Sequence, residues 1–487
     1  MIDLVQNYWP HILALLSFAL GIPAAIHAAM TKDDVRAAAG WVGVVLLSPI
    51  VGALLYAVAG INRIRRSSIG SQRALLRGHG PDQFGSFDIS ETDIAGRFGN
   101  RFAALKILGD RVSRHRMCSG NGVEVLAGGD AAYAAMLAAI AGARRSILIE
   151  SYIFDRDVVG LRFADALIAA VARGVEVRVL IDAVGARYSV PSIVGHLKTA
   201  GVPTAVFNGN IIMGLRLPYA NLRTHRKILV VDGLVAFAGG MNIRAGFTSE
   251  IAGEVPALDT HFQVTGPVVA DIFQVAAEDW QFSSGEMLTG SAWALEERPL
   301  PAETPSVLMR AIPSGPDATN ETNHKMLMGA FSVARKNIRV MSPYFLPDRE
   351  LISALVTAAR RGVEVDIVVP AVNNLLLVDR AMTAQFDQVL KGHCRVWRAE
   401  GAFNHSKLLI VDERWAYVGS TNLDPRSLRL NFEFDLEVLD DGFAHTINGM
   451  ISDVLASAEP VTLEALRAKP LIDRLANRVL WLGSPYL

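Results

Sequence analysis

The pattern His-x-Lys-x-x-x-x-Asp occurs twice in this chain, as His225, Lys227 and Asp232 and again as His405, Lys407 and Asp412. Each copy runs into an apolar, β-branched stretch, Ile228 to Val231 or Leu408 to Val411. Each is followed at matching offsets by a small-residue turn and an asparagine: Gly239, Gly240 and Asn242 in one, Gly419, Ser420 and Asn422 in the other. With eleven histidines in the chain, one match is easily accidental. Two matches with matching tails point to two half-sites that combine into one active site.

The spacing fits strand geometry. If His225-x-Lys227 leads into a strand, alternate side chains share a face, so His225 and Lys227 project together while Arg226 points away; the same holds for His405 and Lys407 around Ser406. An imidazole can attack or exchange protons near neutral pH, and a neighbouring ammonium stabilises negative charge in a transition state. Two such units facing each other fit phosphoryl transfer, with one histidine attacking phosphorus and the other protonating the departing alkoxide.

The duplication extends beyond the motif. From Val123 onward β-branched runs alternate with Ala-rich helical patterns, as in an α/β domain. Ser146 to Phe154 and Gly174 to Ile181 are expected strands around a helix at Arg162 to Ala172; Asn337 to Phe345 and Gly362 to Val369 repeat this around Leu351 to Arg360. The pentapeptide Arg-Gly-Val-Glu-Val stands at both 173–177 and 361–365. Two pseudo-two-fold-related α/β/α sandwiches are the economical architecture.

A chain of 487 residues is long for one domain, and its 51% hydrophobic content is concentrated at the start. Ile12 to Met30 is long enough to span a bilayer although interrupted by Pro23 and His27, and Ala37 to Ile61, free of charge, reads as the better span of an N-terminal helical hairpin. A signal peptide is disfavoured because Asp3, with no Lys or Arg, opens the chain. The cluster Arg63, Arg65 and Arg66, followed by Arg73 and Arg77, places the catalytic body in the cytoplasm by the positive-inside rule. Gly78 to Ser90 reads as a flexible joint and Ile94 to Arg114 as helix. The net charge of −1 argues against nucleic acid as partner. Cys118 and Cys394 have no paired spacing, and neither zinc-site signatures nor phosphate loops nor serine-nucleophile elbows occur, so no metal and no cofactor is expected.

The motif pair resembles the phospholipase D superfamily. The strings Gly419 to Ser427 and Leu430 to Glu433, with Ser314 to Asp317 and Pro343 to Asp348 upstream, narrow the resemblance to bacterial cardiolipin synthases over nearly the whole chain. It implies two phospholipase D-type halves meeting at a shared site: a membrane anchor at 1–66, a connector at 67–122, catalytic halves at 123–300 and 301–460, and an amphipathic tail at 461–487. The implied enzyme is an inner-membrane, multi-pass phosphatidyltransferase that makes cardiolipin from phosphatidylglycerol through a phosphohistidine. A phospholipase D that uses water, or a nuclease of the same superfamily, are the alternatives.

Site roles follow from the same resemblance. His225 would be the nucleophile and His405 the acid/base, with Lys227 and Lys407 beside them. Asn242 and Asn422 would contact phosphate, although either could cap a helix instead. Glu433 matches the acid that orients a catalytic imidazole, and Asp259 holds the comparable place in the first half, where Ala257 and Leu258 depart from the family pattern. Asp232 and Asp412 belong to the catalytic motif, but a turn-forming role with a salt bridge is the preferred reading. Ile211 to Leu217 and Leu375 to Val378 are either core segments or an apolar rim for acyl chains. In the tail, Leu471, Ile472, Leu475, Val479 and Leu482 share one helical face, edged by Arg474 and Arg478; Trp481 and Tyr486 lie nearby, which suits packing on the domain or an interfacial anchor.

Overall fold

A computed structural model describes residues 2–32, 34–60, 87–208, 222–250, 255–295, 306–317 and 319–484, in two compact units, 2–60 and 87–484. The Arg63 to Arg66 cluster with Arg73 and Arg77, most of the Gly78 to Ser90 joint, the Ile211 to Leu217 stretch and Tyr486 lie outside the described residues.

In the first unit the helix Ile2–Thr31 doubles back on Val35–Leu47 and Pro49–Leu55. Only Tyr8–Thr31 is, among the described residues, a helix long and apolar enough to cross a membrane. This corrects the expectation that Ala37 to Ile61 would be the better span. Pro49 has no N–H to donate into the preceding turn, so the second apolar run breaks at Ser48, leaving a 13-residue helix and a shorter one. The break brings Pro49 close to Gly21, where a side chain would meet its ring at 2.9 Å. Tyr56 donates or accepts at His27 Nδ1 over 2.7 Å and is buried with Ala28 and Val45, while Phe18, Ile26, Met30 and Leu47 remain exposed.

The second unit is built on one long sheet in which seven strands of each half follow the same order, with the two-residue strand Glu459–Pro460 added at the outer edge of the second half alone. From the outer edge, the first half runs Thr204–Phe207, Glu176–Asp182, Ser146–Ser151, Ile228–Val231, Val235–Gly239, Thr260–Thr265 and Cys118–Ala127. The second half mirrors it with Arg395–Ala399, Glu364–Pro370, Asn337–Met341, Leu408–Val411, Trp415–Gly419, Asn431–Leu439 and Val307–Ser314. The two join where Cys118–Ala127 pairs antiparallel with Val307–Ser314. The first three strands named for each half are parallel to one another and the others in these two runs pair antiparallel, as Glu459–Pro460 does with Arg395–Ala399. Strands such as Ser146–Ser151 are buried at every position, as expected of a sheet covered on both faces. Ile147 and Ile149 pack with the helices Gly129–Gly142 and Val158–Ala172, whereas Leu148 and Leu180 turn toward Val268–Ser284 on the other face. The α/β/α sandwich and its internal two-fold are therefore present in this chain.

The stretch Ile94 to Arg114 differs from the single helix expected in a connector. Gly99, at φ +90°, separates Glu91–Phe98 from Asn100–Val112. Phe98, Phe102 and Leu105 are buried in the core of the second half, so these helices are structural members of it.

Candidate active site

Both histidines reach the site through exchanges between halves. Arg223–Thr224 pairs with the start of Asn431–Leu439, and the His225 N–H donates to the Phe432 carbonyl at 2.8 Å. In mirror image, the His405 N–H donates to the Leu258 carbonyl at 2.7 Å and the Leu258 N–H to Phe403 at 2.9 Å. Each imidazole thus meets the carboxylate of the opposite half: His225 Nδ1 lies 2.9 Å from Glu433 Oε2, and His405 Nδ1 lies 2.7 Å from Asp259 Oδ2. A carboxylate at Nδ1 holds the proton there and leaves the Nε2 lone pair as the reactive position.

Lys227 Nζ donates to the His225 carbonyl at 2.6 Å, and Lys407 donates to the His405 carbonyl. Each lysine thereby braces its own histidine. Burial pushes Lys227 down to about 7 and Lys407 down to about 8, against the pull of Glu433 and Asp259. Burial also lowers His225 below its ordinary value, and lowers His405 to about 4 with help from the Lys407 charge. For Glu433 and Asp259 burial alone acts upward; the facing imidazoles and lysines outweigh it and hold both below the usual carboxylate range. An entering phosphate anion would raise the affinity of all four bases for protons, which is the direction that general acid catalysis requires.

His225 and His405 line one cavity of about 410 Å³, together with Asn242 and Asn422. Neither asparagine caps a helix by its side chain: Asn242 Oδ1 accepts from the Ile153 N–H at 3.0 Å, and Asp424 caps Pro425–Arg429. Asn422 Oδ1 is buried with no hydrogen-bond partner among the described residues, a polar atom that a substrate group would satisfy. Leu375 also lines the cavity, at the start of the helix Leu376–Leu390, so the Leu375 to Val378 stretch is a helix start as well as rim.

Asp232 and Asp412 stand apart from this group, which corrects their inclusion among catalytic residues. Both lie at the far ends of the motif strands with φ near +55°. Asp232 accepts from the backbone N–H groups of Arg144, Arg145 and Ser146, and Asp412 from those of Arg335, Lys336 and Asn337. Each carboxylate ties off a helix-to-strand turn, and Asp412 adds an ion pair with Arg101. The reason is strand length: five residue steps separate each aspartate from its lysine, a rise of roughly 16 Å.

The chain matches the family described as "Cardiolipin synthase, PLD-like domain" over residues 136–252 and 327–454, and "Phospholipase_D-nuclease N-terminal" over 19–60. It is 32% identical to cardiolipin synthase A of Pseudomonas fluorescens, over 99% of this chain and 100% of that one. It is also 32% identical to cardiolipin synthase A of Pseudomonas aeruginosa, over 96% and 94%. The chain belongs to the cardiolipin synthase, phospholipase D-like family. It is similar in fold to the crystal structure of phosphatidylserine synthase from Haemophilus influenzae, with a TM-score of 0.59, 16% identity, and coverage of 79% of this chain and 100% of that one.

Several cavity residues of this family member escape the motif spacing. Tyr152 sits edge-on to His225 at 5.0 Å between ring centroids, and Tyr344 edge-on to His405 at 6.4 Å. Arg223, Arg244 and Arg426 bring positive charge to the wall, and Phe247 and Phe403 flank His405. Arg426 lies inside the Gly419 to Ser427 string and Arg223 two residues before His225, so their neighbourhood was marked although their roles were not. Ser420 donates to Glu433 at 2.6 Å and Asn431 at 3.2 Å, completing the support of that acid. Among the described residues one group, His324, Asp348 and Glu350, has metal-ligand types within reach. Arg429 already engages Asp348 at 3.2 Å, and none of the three lines the cavity.

Proposed function

We propose that this enzyme transfers the phosphatidyl group of one phosphatidylglycerol to a hydroxyl of a second, giving cardiolipin and glycerol. His225 Nε2 attacks phosphorus while His405 gives a proton to the departing glycerol oxygen; His405 then takes the proton of the incoming lipid hydroxyl as that oxygen attacks the phosphohistidine. The order of the two histidines follows the family resemblance. Lys227, Lys407, Asn242 and Asn422 hold the non-reacting phosphate oxygens, and Glu433 and Asp259 fix the imidazole tautomers. The observation that carries this reading is the crossed pair of imidazole–carboxylate contacts opening on one shared cavity.

An apolar N-terminal helix and an apolar cavity rim both favour an acceptor already in the bilayer. We place the first unit in the inner membrane as a two-pass hairpin, the second pass being the kinked run from Val35 to Gly60, with the catalytic body cytoplasmic because of the Arg63 to Arg66 cluster. The anchor, two halves and tail expected from the resemblance are the corresponding proposal for the domain boundaries, with the helices Glu91–Phe98 and Asn100–Val112 counted with the second half and not with a connector. Purified enzyme given labelled phosphatidylglycerol should yield a four-chain lipid and free glycerol. Phosphatidic acid as the dominant product at high substrate density would make it a phospholipase D instead.

A further inference from the structure

We infer that the C-terminal helices form a second, non-reacting binding site for the phosphate headgroup of an anionic phospholipid, placed beside the mouth of the active-site cavity. The site is a separate cavity of about 330 Å³ between the helix Leu376–Leu390 and the helices Leu463–Ala468 and Leu471–Leu482. Its walls carry Lys391, Arg467, Lys469, Arg474 and Arg478 against the single carboxylate of Asp387. Arg478 and Lys391 both bond that carboxylate, each at 3.0 Å. Among the described residues the side chains of Arg467, Lys469 and Arg474 make no hydrogen bond or ion pair. In a chain of net charge −1, this convergence of unpaired cations is a local feature of the tail. Glu464 and Asp473, the acids on the same two helices, do not line it.

The helix itself is turned the wrong way for water. At 100° per residue, Leu471, Ile472, Leu475, Val479 and Leu482 fall within one arc of about 100°. Each of these five is more than half exposed, while Asn477 is buried and Leu480 and Trp481 pack against the core. A helix on a soluble surface buries its apolar arc; this one presents it outward. Leu375, Leu376 and Leu377 extend the exposed apolar surface, and Leu375 lines the active-site cavity, as does Ser484 just past the end of the helix. Apolar side chains that enter the acyl region beside cations that meet phosphate is the arrangement of an interfacial anchor. The charge selects an anionic lipid, and the apolar arc beside it selects a lipid over a free anion.

The inference rests on the proposed membrane setting for the source of the lipid but not on the assigned reaction. The full chain in nanodiscs of phosphatidylcholine, with or without a minority of phosphatidate, is followed by amide hydrogen exchange. Amides of 463–482 should exchange at least ~10-fold more slowly with phosphatidate present, the change expected when an opening segment is held by a bound ligand. The triple variant Arg467→Gln, Lys469→Gln, Arg474→Gln should lose that difference while the central strand Val307–Ser314 stays protected, and Arg474→Gln alone should lose part of it. Equal protection in both lipids would overturn the headgroup site in favour of apolar seating alone. Equal protection by inorganic phosphate in detergent would make it a site for a soluble anion, and an unchanged triple variant would also refute the proposal. Failure of the transferase assignment would appear in the product analysis and leave these exchange rates unmoved.

Discussion

The two catalytic halves are mirror images in strand order yet unlike in what holds them. In the first half, the residue between His and Lys is Arg226, fully buried, paired with Asp279 and donating to the carbonyls of Glu433 at 2.9 Å and Ser314 at 3.2 Å. In the second half it is Ser406, whose hydroxyl meets Thr260 at 2.9 Å. Glu433 is supported by Ser420, whereas the equivalent Gly240 leaves no room for a side chain, since a Cβ there would approach Asp259 at 2.5 Å. Two residues beyond the acids stand Asp435, bonded to Thr421 and Asn323, and His261, whose ring nitrogens are buried without partners among the described residues. Duplication keeps the reacting groups alike because the reaction needs two imidazoles. The scaffold around them is free to diverge because any satisfied packing will hold a ring in place.

The largest test of this comparison removes the reacting groups. His225→Ala and His405→Ala should each lower kcat by roughly 10⁴ or more, because neither half-site supplies both attack and proton transfer. If the halves are chemically distinct as proposed, a phospho-enzyme trapped from labelled substrate maps to His225; label on His405 would exchange their roles.

Next in size are the crossed acids. Glu433→Gln and Asp259→Asn should each cost roughly 10³–10⁴ in kcat with little change in KM, through loss of the tautomer and of imidazolium stabilisation. Glu433→Gln should be the more damaging, because it also disturbs the contacts of Ser420 and Asn431. Equal losses would show that this extra support has no catalytic consequence.

The scaffold asymmetry should appear in stability. Arg226→Ala removes the guanidinium that faces the buried Asp279 carboxylate and its bonds to the Glu433 and Ser314 carbonyls, and should destabilise by about 3–5 kcal/mol. Ser406→Ala removes one hydroxyl contact and should cost about 0.5–1.5 kcal/mol. Denaturant melts of the detergent-purified enzyme give both values, and similar losses would erase the distinction.

A pH-dependent difference concerns His261, which burial lowers to about 4 from 6.5. Between those values the folded state binds fewer protons at this ring than the unfolded state. Its contribution is therefore intact above pH 6.5 and is lost as pH falls toward 4. His261→Leu removes that loss, so the variant should gain on the wild type by on the order of 1–3 kcal/mol across the window. A difference between the two melts that is independent of pH would show that the imidazole is not buried neutral.

The sequence carried the doubled motif, the repeat behind it and the identities of the reacting residues, since each depends on local spacing and residue chemistry. It also marked Glu433 and Asp259 as orienting acids, but not which histidine each one serves. Pairing is set by Arg223–Thr224 and the Phe403 to His405 segment crossing to the other half, contacts more than 140 positions apart. Tyr152 and Tyr344 stand inside the stretches Ser146 to Phe154 and Pro343 to Asp348, but their meeting at one cavity is a tertiary fact, because a cavity wall gathers residues from many strands.

What the sequence determined by itself is the chemistry on offer: two histidines, two lysines and an apolar start, fixed by residue type and period. What only the tertiary structure decided is where that chemistry is directed. Each histidine meets the acid of the opposite half, and the helices after Ser90 join the second-half core. Backbone geometry sets such distances, and burial then decides which charges survive. Both effects arise from neighbours remote in the chain, which local pattern does not contain.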